Sequence, residues 1–307
     1  MGAQAKHSAL VVGWLSPATP DSGGQYISVF KQALGSLGWS EGTQFVIDSQ
    51  WANGQMGRLE ALAQKLAANK PAVIVTQTGQ ATRAAARAAP HTPIVQGNGT
   101  DLVAAGLAAS LSRPGGMVTG MTNVQVDVTE KFLELLLAAA PRLKRVGFLA
   151  DSNNLNHALN MKAAERSAAR YRIEAKFAEV ARNDEVEPAL LRLAAEGVEG
   201  LVVLSSPLLT FERKRIIKLS LTRRWPVMAT GRGWANEGAL LSYGEDASAN
   251  YRRAAYYVDR ILKGTKPGDL PIEQPTKLEL VINLKTAKSI GLAIPPELLI
   301  RADKVIE

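Results

Sequence analysis

Histidine and cysteine carry much of the nucleophilic, general-base and metal chemistry of proteins, and this chain of 307 residues has 3 histidines and no cysteine. His7, His91 and His157 are too far apart for a metal-binding pair of the H-E-x-x-H kind. The lack of cysteine excludes a thiol nucleophile, a thiolate zinc site, an iron–sulfur cluster and any disulfide. What remains is a set of small neutral hydrogen-bonding residues: Ser16, Gln77, Thr78, Asn98, Thr100, Asn153, Ser205 and Ser206. One acid, Asp151, one cation, Arg232, and two rings, Trp234 and Tyr243, join them. Such a set binds; it is poor in groups that move protons. The hydroxyls of Ser16 and Thr78, with the N–H groups after them, suit a carboxylate at a helix N-terminus, and equally suit simple capping. Gln77, Asn98 and Thr100 fit either ligand hydrogen bonds or turn chemistry. Arg232 is a clamp for a carboxylate or the structural partner of Glu237 or Asp246. Trp234 and Tyr243 stack on an aromatic ligand or fill core, and Trp14 alternates into a sheet as a core residue. Asp151 fits a ligand ammonium or the cap of the helix after it.

These residues stand out because of the elements that must position them. Short apolar runs alternate with amphipathic segments along most of the chain. ALVVGWL (9–15), FVIDSQW (45–51), AVIVT (72–76), PIVQ (93–96) and VTGMT (118–122) read as strands. Helices are expected over 24–37, from Leu59 (with Leu62, Ala63 and Leu66 on one face), over 80–89 and over 102–111. The second half repeats the scheme. Strands are expected at 145–150, 173–180, 200–205, 226–229 and 239–244. Helices are expected at 156–171, at 185–196 capped by Asn183 or Asp184, and at 210–222. This alternation predicts right-handed βαβ units and two parallel sheets. A long helix over 247–263, a strand at 278–283 and a short helix at 285–290 are too little for a third domain, so the tail is expected to complete the first two. In open α/β sheets ligands sit beyond the carboxyl ends of the strands, and the candidates above, Trp14 and the histidines apart, fall at or just beyond those ends.

Composition sets the outer bounds. With 46% hydrophobic and 21% charged residues the chain is an ordinary globular mixture, long enough for two domains. The net charge of +8 is dispersed, and its densest clusters, Arg213-Lys214-Arg215, Arg223-Arg224 and Arg252-Arg253, lie in helical patterns as solvated faces. No nucleic-acid partner is expected. Gly97-Asn98-Gly99 lacks the third glycine of a dinucleotide fingerprint, Gly264-Thr265-Lys266 has the wrong order for a phosphate loop, and Ser22-Gly23-Gly24 reads as a turn before a helix. No cofactor and no metal is implied. No apolar run approaches the roughly 20 residues of a membrane span. Ala3-Gln4-Ala5 has the small-x-small form of a signal-peptidase site, without the charged and apolar regions that precede one.

The last third is more specific. YRRAAYYVDRILKG, KPGDLPIEQPTKLELVINLKTAK and IPPELLIRADKVIE, with LAASLSRPGGMVTGMT from Leu107 and FKQALGSLGWSEGTQFVIDSQWANG from Phe30, closely resemble the substrate-binding proteins of ABC transporters of the tryptophan/tyrosine-type uptake group. The resemblance covers nearly the whole chain. It implies an α/β fold of the type I periplasmic-binding kind: two Rossmann-like lobes with parallel sheets, joined by a three-stranded hinge. The lobes are expected at 1–121 plus 246–271 and at 122–245 plus 272–307, with hinges near Thr122, 243–246 and 270–275 and a ligand cleft between the lobes. It further implies a monomer in the periplasm or another extracytoplasmic space, closing on a small carboxylate-bearing ligand, an aromatic amino acid or aromatic acid, and delivering it to an inner-membrane permease. Export makes Ala3-Gln4-Ala5 read as the remnant of a signal. The chain departs from the family at Asp151-Ser152, where an Asn-Pro pair is frequent, at Ser206-Pro207, where Asp-Pro is, and at Arg232-Gly233-Trp234, where Arg-Glu-Phe is. These departures fall in loops expected to line the cleft.

Two other classes are weighed against this one. A doubly wound enzyme lacks the histidine, cysteine, clustered carboxylates and nucleotide motif it would need. A ligand-sensing regulator of similar fold carries about 60 residues of helix-turn-helix first, whereas the first strand here begins near residue 9.

Overall fold

The computed structural model describes residues 9–122, 125–154, 156–275 and 278–307. Ala3-Gln4-Ala5 lies outside them. In chain order the elements are β1 (Leu10–Ser16), α1 (Pro20–Ser36), β2 (Phe45–Trp51), α2 (Leu59–Ala68), β3 (Val73–Thr76), α3 (Gly79–Ala88), β4 (Ile94–Gln96), β5 (Val118–Gly120) and α4 (Gln125–Ala139). There follow β6 (Arg145–Asp151), α5 (His157–Tyr171), β7 (Glu174–Val180), α6 (Val186–Ala195), β8 (Gly200–Val203), α7 (Pro207–Phe211), α8 (Arg213–Leu221), β9 (Val227–Ala229) and α9 (Arg232–Glu237). The chain ends with β10 (Leu241–Glu245), α10 (Ala247–Leu262), β11 (Leu278–Asn283), α11 (Leu284–Ile290), α12 (Pro296–Ile300) and β12 (Lys304–Ile306).

These elements form two units, Met1–Asn123 with Ala247–Pro275, and Val124–Asp246 with Thr276–Glu307. The last boundary falls a few residues beyond the expected 271 because Ile272 N donates to Leu111 O and Glu273 N to Gly120 O, which keeps this segment on unit 1. Unit 1 is built on a parallel sheet of order β2-β1-β3-β4-β5. Strict alternation gives its strands two apolar faces. Val12, Trp14, Val73, Val75 and Val95 pack with α1 and α10; Leu15, Ile74 and Ile94 pack with α2 and α3.

Unit 2 repeats the order in β7-β6-β8-β9-β10 and adds β11, antiparallel to β10, and β12, parallel to β11. Val146, Phe148 and Val202 face α4 and α5, while Leu149, Leu201 and Val203 face α6 and α8. The tail strands thus complete this sheet. The short strand β12 and helix α12 carry no periodic pattern long enough to mark them in the sequence.

Four expected helices differ. The helix expected over 24–37 begins at Pro20 behind the Thr19 cap, so Ser22-Gly23-Gly24 lies inside α1 and not in a turn before it. Residues 102–111 form turns, not a helix. Asp101 Oδ1 accepts from Val103 N and Ala104 N as a helix cap would, but Gly106 enters the left-handed region at φ +71° and stops the helix after one turn. The helix expected at 210–222 begins earlier, at the Ser206 cap, and breaks at Glu212 into α7 and α8. The helix after β7 is not capped by Asn183 or Asp184: Glu185 reaches back, and its Oε2 accepts from Ala181 N at 2.7 Å and Arg182 N at 3.2 Å.

Candidate ligand-binding site

Both sheets have the strand order in which connections leave in opposite directions from the first and third strands. In unit 1 that switch point lies at the carboxyl ends of β1 and β3; in unit 2 it lies at those of β6 and β8. The expected site residues gather there, unit by unit.

In unit 1 Ser16 ends β1, is fully buried, and its hydroxyl donates to Gln77 Oε1 just beyond β3. Its oxygen accepts from Ala18 N at 3.0 Å. Thr78 caps α3, its hydroxyl accepting from Ala81 N at 3.3 Å, and Thr19 caps α1 reciprocally with Ser22. The positive ends of two helices therefore open at this switch point, next to neutral donors. The loop after β4 carries half-buried Asn98 and Thr100. It packs so closely that only glycine fits. A Cβ on Gly97 would stand 2.3 Å from the Tyr251 ring, and one on Gly79 would stand 2.2 Å from Thr100 Cγ2.

In unit 2 Asp151 ends β6 and is 5% exposed. Its Oδ1 accepts from Asn153 N at 2.9 Å and the Ser206 hydroxyl also bonds to its carboxylate. Burial pushes its pKa above the usual aspartate value, against the pull of these bonds and of nearby His157. Asp151 therefore organises its own turn. It does not cap α5, which starts after Asn156. Asn153 is exposed and donates from Nδ2 to Ala181 O at 3.0 Å. Ser205 is half-buried and its carbonyl accepts from Asn154 Nδ2. Ser206 is buried and caps α7, accepting from Leu209 N at 2.9 Å. His157 lies 2.9 Å from Glu179 Oε2 at the end of β7.

The remaining three positions differ from the loop reading. Arg232 and Trp234 stand in the short helix α9, not in a loop. Arg232 Nη2 pairs with Glu279 Oε2 at 2.6 Å, a carboxylate on β11 that is distant in sequence, rather than with Glu237 or Asp246. Trp234 is 3% exposed and belongs to the apolar cluster with Ile216, Val227 and Ala229, a packing position. Tyr243 lies within β10 opposite Leu280, half-buried against the cluster that contains Phe148. Trp14 is fully buried between Phe30 and Tyr251.

Sequence reasoning passed over Gln96 and Asn154. Gln96 is fully buried and bonds to Thr82, Thr100 O and Met121 O. The signal was present, a long amide at the carboxyl end of an apolar run. A polar groove in unit 2, lined by Glu130, Lys131, Glu134, Arg166 and Arg170, lies toward the C-terminus of α5, and Arg166 and Lys131 are spent there on Glu130 and Glu134. Helix C-termini sit over the amino ends of strands, so this groove is not at a switch point. Among the described residues no group of three acidic, histidine or cysteine side chains is placed to hold a metal, and no helix is long and apolar enough to cross a membrane.

Known proteins resemble this chain over most of its length. A tyrosine-binding protein of Clostridioides difficile (strain R20291) is 26% identical over 264 residues, covering 86% of this chain and 75% of that protein. A conserved domain protein of Vibrio cholerae superimposes with a TM-score of 0.89 at 25% identity, over 97% of this chain and 100% of that one. A Streptococcus pneumoniae ABC domain solved in complex with L-tryptophan has a TM-score of 0.88 at 22% identity, with the same coverage. The model of the family "ABC transporter substrate binding protein" matches residues 17–306, and the chain belongs to that family.

Proposed function

We propose that this protein is the non-catalytic, extracytoplasmic binding component of an ABC importer, that it captures an aromatic amino acid as a monomer, and that it hands the ligand to a membrane permease after its two units close on it. In a diderm cell that space is the periplasm. One observation carries the choice of ligand: the two switch points are chemically unlike. That of unit 1 offers two helix N-termini and neutral hydrogen-bonding groups at Gln77, Thr78, Asn98 and Thr100, with Ser16 buried behind them and holding Gln77 through its hydroxyl, which suit a carboxylate. That of unit 2 offers a buried carboxylate, Asp151, whose charge its own hydrogen bonds offset incompletely, which suits an ammonium. An α-amino acid carries both groups, whereas an aromatic acid without the ammonium satisfies only the first. The tyrosine-binding relative and the neighbour solved with L-tryptophan support an aromatic side chain.

The test is titration calorimetry with L-tryptophan, L-tyrosine, L-phenylalanine, indole-3-propionate and a sugar control. The expected result is micromolar or tighter binding of at least one of the three amino acids, and weaker binding of indole-3-propionate. Saturation should also reduce the radius of gyration in small-angle scattering. Binding of the sugar alone, or of no amino acid, would overturn the proposal.

A further inference from the structure

The loop after β4 and the segment by which the chain leaves unit 1 share one acceptor. Thr100 O accepts from Gln96 Nε2 at 2.9 Å and from Thr122 Oγ1 at 3.1 Å. Gln96 Nε2 also donates to Met121 O at 2.8 Å, and Met121 N returns a bond to Gln96 O at 2.7 Å. Gln96 Oε1 accepts from Thr82 Oγ1 at 2.9 Å. Thr82 Oγ1 is also 2.7 Å from Thr76 Oγ1 and 2.9 Å from Thr78 O. A hydroxyl has one proton. With Thr82 donating to the amide and Thr76 donating to Thr82, every buried polar atom of this network is satisfied. Gly120 is held at φ +122° where a Cβ would stand 2.2 Å from Gln96 O, so the outgoing segment lies directly on the Gln96 backbone. Thr122 N then donates to Glu273 O at 2.9 Å, and Arg253 Nε grips the Glu273 carboxylate at 2.8 Å. Thr122 and Glu273 stand one and two residues before unit 1 ends in their segments.

We infer that Gln96 and Thr122 are positioning residues that couple the ligand loop, residues 97–100, to the two segments leaving unit 1 near Thr122 and Glu273. Ordering the loop on a ligand carboxylate then stiffens the points from which the units move. A fully satisfied polar network rigidifies the segments it joins, so order in the loop is shared with the outgoing segments. The inference rests on the proposed ligand role of this loop.

The test is amide hydrogen exchange on the ligand-free full chain carrying Thr122→Val, which keeps the shape and removes the hydroxyl. The expected result is about five- to tenfold faster exchange at Gly97, Val103 and Met121, with β6 and β8 of unit 2 unchanged, and recovery in Thr122→Ser. Gln96→Glu, which cannot donate to two carbonyls, should act at the same amides. Unchanged exchange at Gly97 and Val103, or an equal rise throughout the chain, would overturn the coupling. Asn98→Ala separates the two readings. If it leaves affinity for L-tryptophan and L-tyrosine unchanged, the ligand role of the loop fails whatever the exchange shows. If it weakens binding while Thr122→Val leaves exchange unchanged, only the coupling fails.

Discussion

Replacing Asp151 by Asn tests both the chemistry of the unit 2 switch point and its energetics. The side chains have the same shape, and Asn can still accept from Asn153 N and bond to Ser206. Burial raises the folded pKa of Asp151 above its ordinary value of about 3.9. In the window between that value and the raised one, the folded state binds protons more tightly than the unfolded state. Stability of the parent protein therefore falls as pH rises through this window, and the penalty is fully in place above the raised value. Asn carries no such penalty. The variant should match the parent near pH 3.5 and equal or exceed its Tm at pH 7. Binding should move the other way. A hydrogen bond to a charged partner contributes roughly 1.5–3 kcal/mol, about 10- to 150-fold in Kd. The variant should lose affinity for L-tryptophan by that factor and retain its affinity for indole-3-propionate, which has no ammonium. Calorimetry at pH 7 reads both. Equal losses for the two ligands, or none, would refute the ammonium role, and a Tm well below the parent's at pH 7 would refute the incomplete compensation.

Gly97→Ala should cost about 1–3 kcal/mol in urea unfolding, because Tyr251 is wedged between Trp14 and Tyr26 and cannot yield to the new Cβ. Gly24→Ala, with nothing within 4 Å of its Cβ inside α1, is the control and should gain a few tenths of a kcal/mol. The Arg253 guanidinium holds Glu273 below the usual glutamate pKa, so its contribution is present above about pH 4.3 and lost as pH falls through the depressed value. Both side chains are more than a third exposed, so Glu273→Gln should lower stability at pH 7 by only about 0.5 kcal/mol, and the difference should vanish at low pH. Arg232→Met should cost roughly 1–2 kcal/mol by stranding Glu279, whose side chain is 13% exposed, and adding Glu279→Gln should recover most of it.

Local rules locate most of this molecule. Short continuous apolar runs mark β1, β3, β6 and β8, and the rule for parallel sheets then points to Ser16, Gln77, Thr78, Asp151 and Ser206 at or just beyond the carboxyl ends of those strands. The same reasoning fails at residues 102–111, where the apolar spacing is helical but one left-handed glycine decides the backbone. It also places Arg232 and Trp234 in a loop, because a Gly-x-Gly run looks like a turn when the helix after it is only six residues long. Gln96 escapes it because its role lies in three partners, the furthest 25 residues away.

The class of this protein is legible in its residues alone: a two-unit α/β chain without thiols, with few histidines, and with neutral hydrogen-bonding residues at the ends of its strands. Those properties follow from composition and from periods of 2 and 3.6, which are local. Tertiary structure alone decided which donor meets which acceptor. Asp151 became a buried and incompletely compensated charge only because β6 ends beside the Ser206 cap. Arg232 was taken up by Glu279 only because β11 runs antiparallel to β10. Desolvation and ion pairing depend on what folding brings within a few ångströms, and no spacing along the chain encodes that distance.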